Sequence, residues 1–394
     1  MLERFGVLVL NQISVGGLSR LPADRYRVGK DVTNPAAVLL RSADMHGMDI
    51  PTSVRAIGRA GAGTNNIPVK AMSARGVPVF NAPGANANAV KELVLAGMLL
   101  ASRRLVPALR FVGTLDGASA DLDKTVEDGK KAFAGFEIAG QTLGVIGLGK
   151  IGCLVADAAI KLGMNVLGYD PEITVDAAWS LPAQVRRATS VNEVLKHAHF
   201  VTVHVPLVEA TRHLVNDANI GLMKPGAVLL NFSREGVVSD SAVLEALNGG
   251  RLGQYVCDFP SAATLGHPGI VALPHLGAST REAEENCAVM VVDQLRDFLE
   301  HGNVANAVNF PSVAMPRESG FRIAIANANV PNMLGQISTA MAHAGLNIHN
   351  MVNKSRGDVA YTLVDVDSAV EDSVVTALQG IGGVLSVRYL PLQG

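Results

Sequence analysis

Short apolar runs, separated by polar or glycine-rich turns, recur along most of the chain. FGVLVL (5–10), AAVLLRS (36–42), VRAIGRAG (54–61) and VPVFNAP (77–83) have the length of strands buried on both faces of a parallel sheet. NAVKELVLAGMLLASRRLVPAL (88–109) is apolar on several sides, which predicts a long buried helix. The polar stretch 113–140 has glycine and charge but little period, and reads as a connection between domains. Apolar runs resume at 141–152, 164–170, 199–206, 226–233, 251–259 and 269–275, with helical patterns between most of them. This alternation predicts a second parallel sheet with helices on both faces. A helix over 280–302 is long enough to return to the first domain as a hinge. VNFPSVAMPRESG (308–320) has two prolines and reads as a linker. The remaining pattern predicts a small βαββαβ sandwich of ferredoxin-like type.

Composition narrows the class. A chain of 394 residues argues for two or three domains, and 48% apolar with 17% charged residues lets them bury large cores. The net charge of -2 gives no reason to expect nucleic acid or an anionic membrane as partner. One tryptophan among 4% aromatic residues speaks against a base-stacking surface. Cys153, Cys257 and Cys287 have no metal-ligand spacing and cannot make a disulfide framework, so we expect reduced thiols, a cytoplasmic home and no metal. The first apolar run is too short for a signal peptide, and none is long enough to span a membrane.

The chemistry begins at GLGKIG. Gly147, Gly149 and Gly152 follow a strand and open a helix. The first allows a tight turn, the second a close approach of backbone to a pyrophosphate, and the third close helix–strand packing. The helix start offers unpaired N–H groups to phosphate, and Lys150 and Ile151 would lie beside the cofactor. Asp170 ends the next strand at the spacing of a ribose-binding carboxylate, which repels a 2′-phosphate. The expected cofactor is therefore NAD rather than NADP.

TLGVIGLGKIG, NFSREGVV (231–238), LPHLGAST (273–280) and NVANAVNFP (303–311) together resemble the D-isomer-specific 2-hydroxyacid dehydrogenases. The likeness covers nearly the whole chain. Residues 54–93 look most like the branch that acts on 3-phospho-D-glycerate, and the terminal segment resembles an ACT regulatory domain. The resemblance implies an α/β protein in which a Rossmann-like NAD domain (96–284) is inserted into a flavodoxin-like substrate domain (1–95 and 285–312). An ACT-like βαββαβ domain (313–394) would follow. The active site would lie in the cleft between the first two.

The implied reaction oxidises 3-phospho-D-glycerate to 3-phosphohydroxypyruvate, the first step of L-serine biosynthesis. His275, at a strand end, is the candidate base, and Arg234 the candidate for the substrate carboxylate and reacting oxygen. The family usually has Arg-Gly-Gly at that place; here it is Arg-Glu-Gly. By similarity Asp258 would hold the nicotinamide carboxamide, with Pro206 and Thr211 near ribose and phosphate, and Phe232, Gly277 and Ala278 around the nicotinamide. Arg59, Gly61, Gly63 and Asn81 are candidates for the substrate's phosphate or carboxylate. The related ACT domains place small amino acids near Asn327, Asn329 and Asn347, so serine is an expected effector. A dimerisation module without ligand is the alternative.

One family feature is missing. A glutamate normally follows the aspartate matching Asp258 and pairs with the histidine, but CDFPSAATLGHPG contains none. Glu282, Glu284 or Glu235 could replace it, a backbone carbonyl or water could hold the imidazole, or catalysis could be lost. We prefer the second, because an unpaired histidine still acts as a base. Rival functions are a glyoxylate or hydroxypyruvate reductase and a non-catalytic NAD-sensing scaffold. Family precedent implies a homodimer or homotetramer.

Overall fold

The structure is a computed structural model that describes residues 4–392. It divides into two compact units: the chain up to Ala85 together with everything from Glu284 on, and Asn86–Ala283.

The first unit contains two sheets. Strands β1 (Phe5–Val9), β2 (Tyr26–Gly29), β3 (Ala37–Leu40), β4 (Ala56–Arg59) and β5 (Val79–Phe80) pair in parallel in the order β2-β1-β3-β4-β5. That is the flavodoxin-like order. AVLL of β3 is buried at every position, as expected of an inner strand covered on both faces. Val291, Val292, Leu295, Phe298 and Leu299 of the helix Arg281–His301 fill the core above it. Gly58 lets that helix in, since a Cβ there would stand 2.7 Å from Leu295 Cδ1.

The other sheet of this unit joins β13 (Phe321–Ala328), β14 (Ile348–Arg356), β15 (Val359–Val366) and β16 (Val384–Pro391) in antiparallel order β14-β15-β13-β16. Its period of two is clear in β13. Ile323 and Ile325 pack with the helices Met333–His343 and Asp372–Gln379, whereas Ala324 and Ala326 face the other way. The two prolines do not isolate this sheet. Ala324, Ala326, Tyr361, Leu363 and Leu390 share one core with β1, β3 and the helix Arg281–His301. Arg322, wholly buried, pairs with Asp365 through two bonds of 2.6 and 2.9 Å and donates to the carbonyls of His301, Met315 and Pro316. Asn332, which precedes the helix Met333–His343, takes φ +63°, the left-handed geometry Asn tolerates.

The second unit is a parallel sheet of β6 (Thr142–Ile146), β7 (Asn165–Tyr169), β8 (Arg186–Arg187), β9 (Phe200–Val203), β10 (Ala227–Asn231), β11 (Leu252–Cys257) and β12 (Ile270–Ala272). Its order, β12-β11-β10-β9-β6-β7-β8, is the Rossmann order extended by one strand. The helix expected over 88–109 is two, Ala87–Ser102 and Leu105–Val112, divided where Arg104 takes φ +49°. The stretch expected to be irregular, 113–140, contains the helix Leu122–Gly129 and a 3₁₀ turn Lys130–Phe133. Neither buries a side chain, so no apolar stripe marks them in the sequence. Among the described residues no helix is long and apolar enough to cross a membrane.

Candidate active site

The turn after β6 lies where the strand order reverses, between β6 and β9, the place where open α/β sheets bind ligands. Gly147 has φ +92°, and a Cβ there would stand 2.4 Å from the His204 carbonyl oxygen. A Cβ on Gly152 would stand 2.0 Å from the Gly147 oxygen. Gly149 differs: it caps the helix Lys150–Lys161 in extended geometry, and a Cβ would meet nothing within 4 Å. The turn thus leaves an open cradle at a helix N-terminus, which fits a pyrophosphate. Lys150 is exposed in the first turn, and Ile151 packs partly on the core. The Asp170 carboxylate accepts the Leu148 N–H at 2.8 Å and the Glu172 N–H at 2.9 Å, so it braces the glycine turn.

Beyond β9, the Thr211 hydroxyl donates to the Pro206 carbonyl and accepts the Val208 N–H, closing the loop that carries both residues. His204 at the strand end is half-buried, with its Nδ1 shielded from solvent. Its Nε2 meets the Thr202 hydroxyl at 2.9 Å, its Nδ1 has no partner, and burial pushes its pKa down to about 3.

Arg234 and His275 are held by one hydrogen-bonded chain across the ends of β10, β11 and β12. Asn231, buried at the end of β10, donates from Nδ2 to the Arg234 carbonyl at 3.0 Å, and its Oδ1 accepts the Ser233 N–H and hydroxyl. The Asn231 carbonyl accepts the Asp258 N–H at 3.1 Å, and the Asp258 carbonyl accepts the His275 N–H at 3.1 Å. The Asp258 carboxylate, 1% exposed, accepts the N–H groups of Leu276 at 2.7 Å and Gly277 at 2.8 Å. Burial lifts this carboxyl above its usual range, while the two N–H donors and His275 pull it back. A Cβ on Gly277 would stand 3.1 Å from that carboxylate, so the clamp favours glycine there. Ala278 follows, half-buried. Sequence reasoning missed Asn231 and Ser233; their signal was a short polar pair directly after an apolar strand, an Asx-turn pattern.

His275 itself is exposed and takes φ +56°, a conformation costly for a residue with a Cβ, and the Asp258 clamp holds it there. Its ring lies 4.9 Å from that of Phe259. Among the described residues no carboxylate hydrogen-bonds to that ring. Two of the three glutamates that could have replaced the missing one have other partners, Arg41 for Glu284 and Arg281 for Glu282. Arg234 projects into solvent, folds onto the Ser233 carbonyl at 2.6 Å and makes no ion pair with Glu235 among the described residues. Phe232 is a core residue whose ring packs against Gly97. Its ring is therefore not presented at the strand ends where Arg234 and His275 stand. Burial pushes the Cys257 thiol up to about 11, which leaves it protonated and inert.

The substrate candidates lie in the first unit. Arg59 ends β4 and its guanidinium folds over Gly61, where a Cβ would stand 2.4 Å from Nη1. Gly63 lies in the same half-buried loop, and Asn81 ties it down by donating to the Ala62 carbonyl at 2.5 Å. The effector candidates do not meet within one chain. Asn327 is buried and Asn329 donates to the Gly357 carbonyl, both at the end of β13 that pairs with Val359. Asn347 precedes β14, whose first residue pairs with Val366 at the far end of the sheet.

A family model described as D-isomer specific 2-hydroxyacid dehydrogenase, NAD binding domain, matches residues 96–277. The chain is 33% identical over 340 residues to a D-3-phosphoglycerate dehydrogenase of Haemophilus influenzae, covering 83% of this chain and 79% of that one. It is 38% identical over 266 residues to the enzyme of the same name from Methanocaldococcus jannaschii, covering 66% of this chain and 48% of the relative, about half its length. In fold it matches the NAD+-bound 3-phosphoglycerate dehydrogenase of Entamoeba histolytica with a TM-score of 0.60 at 22% identity, over 78% of this chain and 99% of that one.

Proposed function

The chain belongs to the D-isomer specific 2-hydroxyacid dehydrogenases, NAD-dependent oxidoreductases, and we propose that it oxidises 3-phospho-D-glycerate to 3-phosphohydroxypyruvate at the head of L-serine biosynthesis. The observation that carries the reading is the hydrogen-bonded chain joining the Arg234 carbonyl, through Asn231 and Asp258, to the His275 amide.

NAD supplies a hydride acceptor, held by the N–H groups after Gly147, by Asp170 and by the Pro206–Thr211 loop. His275 takes the proton of the substrate hydroxyl through its ring. Arg234 turns from the Ser233 carbonyl to the substrate carboxylate, for which its planar fork is the better partner, and polarises the oxygen that becomes a carbonyl. Arg59 and the N–H groups of the Gly61–Gly63 loop hold the phosphate. The imidazole keeps its place through the Asp258 clamp and Phe259 instead of a carboxylate partner.

The test follows NADH consumption with phosphohydroxypyruvate, hydroxypyruvate and glyoxylate side by side. Phosphohydroxypyruvate should be preferred at least tenfold in kcat/KM, and His275→Asn and Arg234→Gln should each remove most of the rate. Preference for glyoxylate or hydroxypyruvate would replace the reading with a reductase. NADH binding without turnover of any of the three would replace it with an NAD-sensing scaffold, a reading that the missing glutamate leaves open and the retention of Arg234 and His275 disfavours. We place the protein in the cytoplasm as a homodimer or homotetramer. The helix Leu105–Val112 supports self-association, because Leu109 is 69% and Val112 58% exposed. Serine as effector then requires Asn347 of a second copy beside Asn327 and Asn329.

A further inference from the structure

Within the first unit, the terminal sheet and the lobe it packs on enclose a cavity of about 390 Å³. Arg55, Arg75, Gln379, Ser386 and Arg388 line it, and no aspartate or glutamate does. Three guanidiniums therefore face one space with no carboxylate to balance them. Arg75 is anchored by the carbonyls of Ile50 and Pro51 at 3.0 and 2.7 Å. Arg388 donates to the carbonyls of Phe298 and Leu299 at 3.1 and 2.8 Å and stacks over the Phe298 ring, but its buried Nε has no partner. Arg55 is exposed, and among the described residues its side chain makes no hydrogen bond or ion pair. Burial, and after it the like charge of Arg55, push the Arg388 guanidinium down to about 10 against the pull of Tyr361.

Two of these cations are thus pre-positioned by backbone carbonyls, and the third is free to close on a ligand. Such an arrangement recognises oxyanions, whose oxygens match the guanidinium fork. The cavity is separate from the substrate candidates. Arg55 precedes β4 and Arg59 ends it, which at a strand's rise puts them roughly 13 Å apart at opposite ends of the sheet. We propose that this cavity binds a small polyvalent oxyanion, a phosphate or a carboxylate-rich acid, between Arg55, Arg75 and Arg388, with Gln379 and Ser386 as polar partners. The site does not depend on the reaction proposed above.

The test is calorimetric titration of inorganic phosphate into the full chain carrying Arg59→Gln, which silences the substrate loop, at constant ionic strength. One phosphate site should remain. Adding Arg55→Glu, which gives Arg388 an internal partner, should weaken it tenfold or more, as loss of a charge-assisted contact implies. Citrate should compete with phosphate if the occupant is carboxylate-rich, and should leave phosphate bound if the site selects phosphate; both outcomes support the site. Arg55 has no partner to lose, so thermal unfolding without phosphate serves as the control for folding. Absence of any phosphate site in the Arg59→Gln chain, or a loss below tenfold with Arg55→Glu, would overturn the proposal.

Discussion

Gly149→Ala and Gly152→Ala separate the fold of the glycine turn from its use. At Gly152 an added Cβ would stand 2.0 Å from the Gly147 oxygen and 3.0 Å from its carbon. Both are backbone atoms, and neither can rotate away. The helix Lys150–Lys161 would have to withdraw by more than an ångström from β6, against a core that includes Val155, Ala156 and Ala159. Overpacking of this kind costs about 3 kcal/mol. At Gly149 the same methyl meets nothing within 4 Å, and φ is -76°, where alanine is at ease. The modest loss of alanine as an N-cap is offset by the entropy it removes from the unfolded chain, so stability should change by less than about 0.5 kcal/mol. The methyl would, however, occupy the cradle a pyrophosphate needs. Losing one charge-assisted N–H contact there is worth about 2 kcal/mol, or roughly thirtyfold in NADH affinity. Trp179, the single tryptophan of the chain, is 86% exposed on the helix that follows Asp170. Energy transfer from it to NADH measures binding without turnover, and thermal unfolding measures the fold. Gly149→Ala should melt like the parent yet bind NADH weakly, whereas Gly152→Ala should lose both. NADH affinity within twofold of the parent in Gly149→Ala would refute the reasoning.

Three further outcomes follow from the same structure. Asp258→Asn leaves one of the Leu276 and Gly277 N–H groups facing an amide donor instead of an oxygen, at a cost of about 2 kcal/mol. Its loss in kcat should be non-additive with His275→Asn if Asp258 acts by positioning His275, which a double-mutant cycle measures. His204 stays neutral in the folded state down to about pH 3, while in the unfolded chain it takes a proton near pH 6.5. Its contribution is therefore fully present above pH 6.5 and declines as pH falls from there toward 3, by up to about 1.4 kcal/mol per unit. Urea unfolding at pH 7 and pH 5 should show this decline, and His204→Gln should flatten it. Arg322→Met strands Asp365 in the shared core and should cost about 4 kcal/mol, read by denaturant unfolding; adding Asp365→Leu should recover most of that loss.

The alternation of short apolar runs with helical periods was enough to predict two parallel sheets and a terminal βαββαβ sheet. It missed β2 and β8, whose residues YRVG and RR are exposed or mixed at the sheet edges and carry no alternation. It also ran one helix through Arg103 and Arg104, because a left-handed residue between two helices leaves the apolar period nearly intact. Residues whose role is set by their own backbone were legible: Gly147 needs a positive φ, Gly152 lies against a carbonyl, and Asp170 closes a strand.

What the sequence determined by itself was the buried strands, the main helices and the turn for the dinucleotide, because strand burial, helix period and glycine geometry are local properties that spacing records. Tertiary structure alone decided how His275 is held, that Asp258 clamps backbone N–H groups, and that Arg55 and Arg388 share a cavity without an acid. Those contacts join residues distant in the chain, and a hydrogen bond or a repulsion between them depends on where the folded backbone brings the atoms.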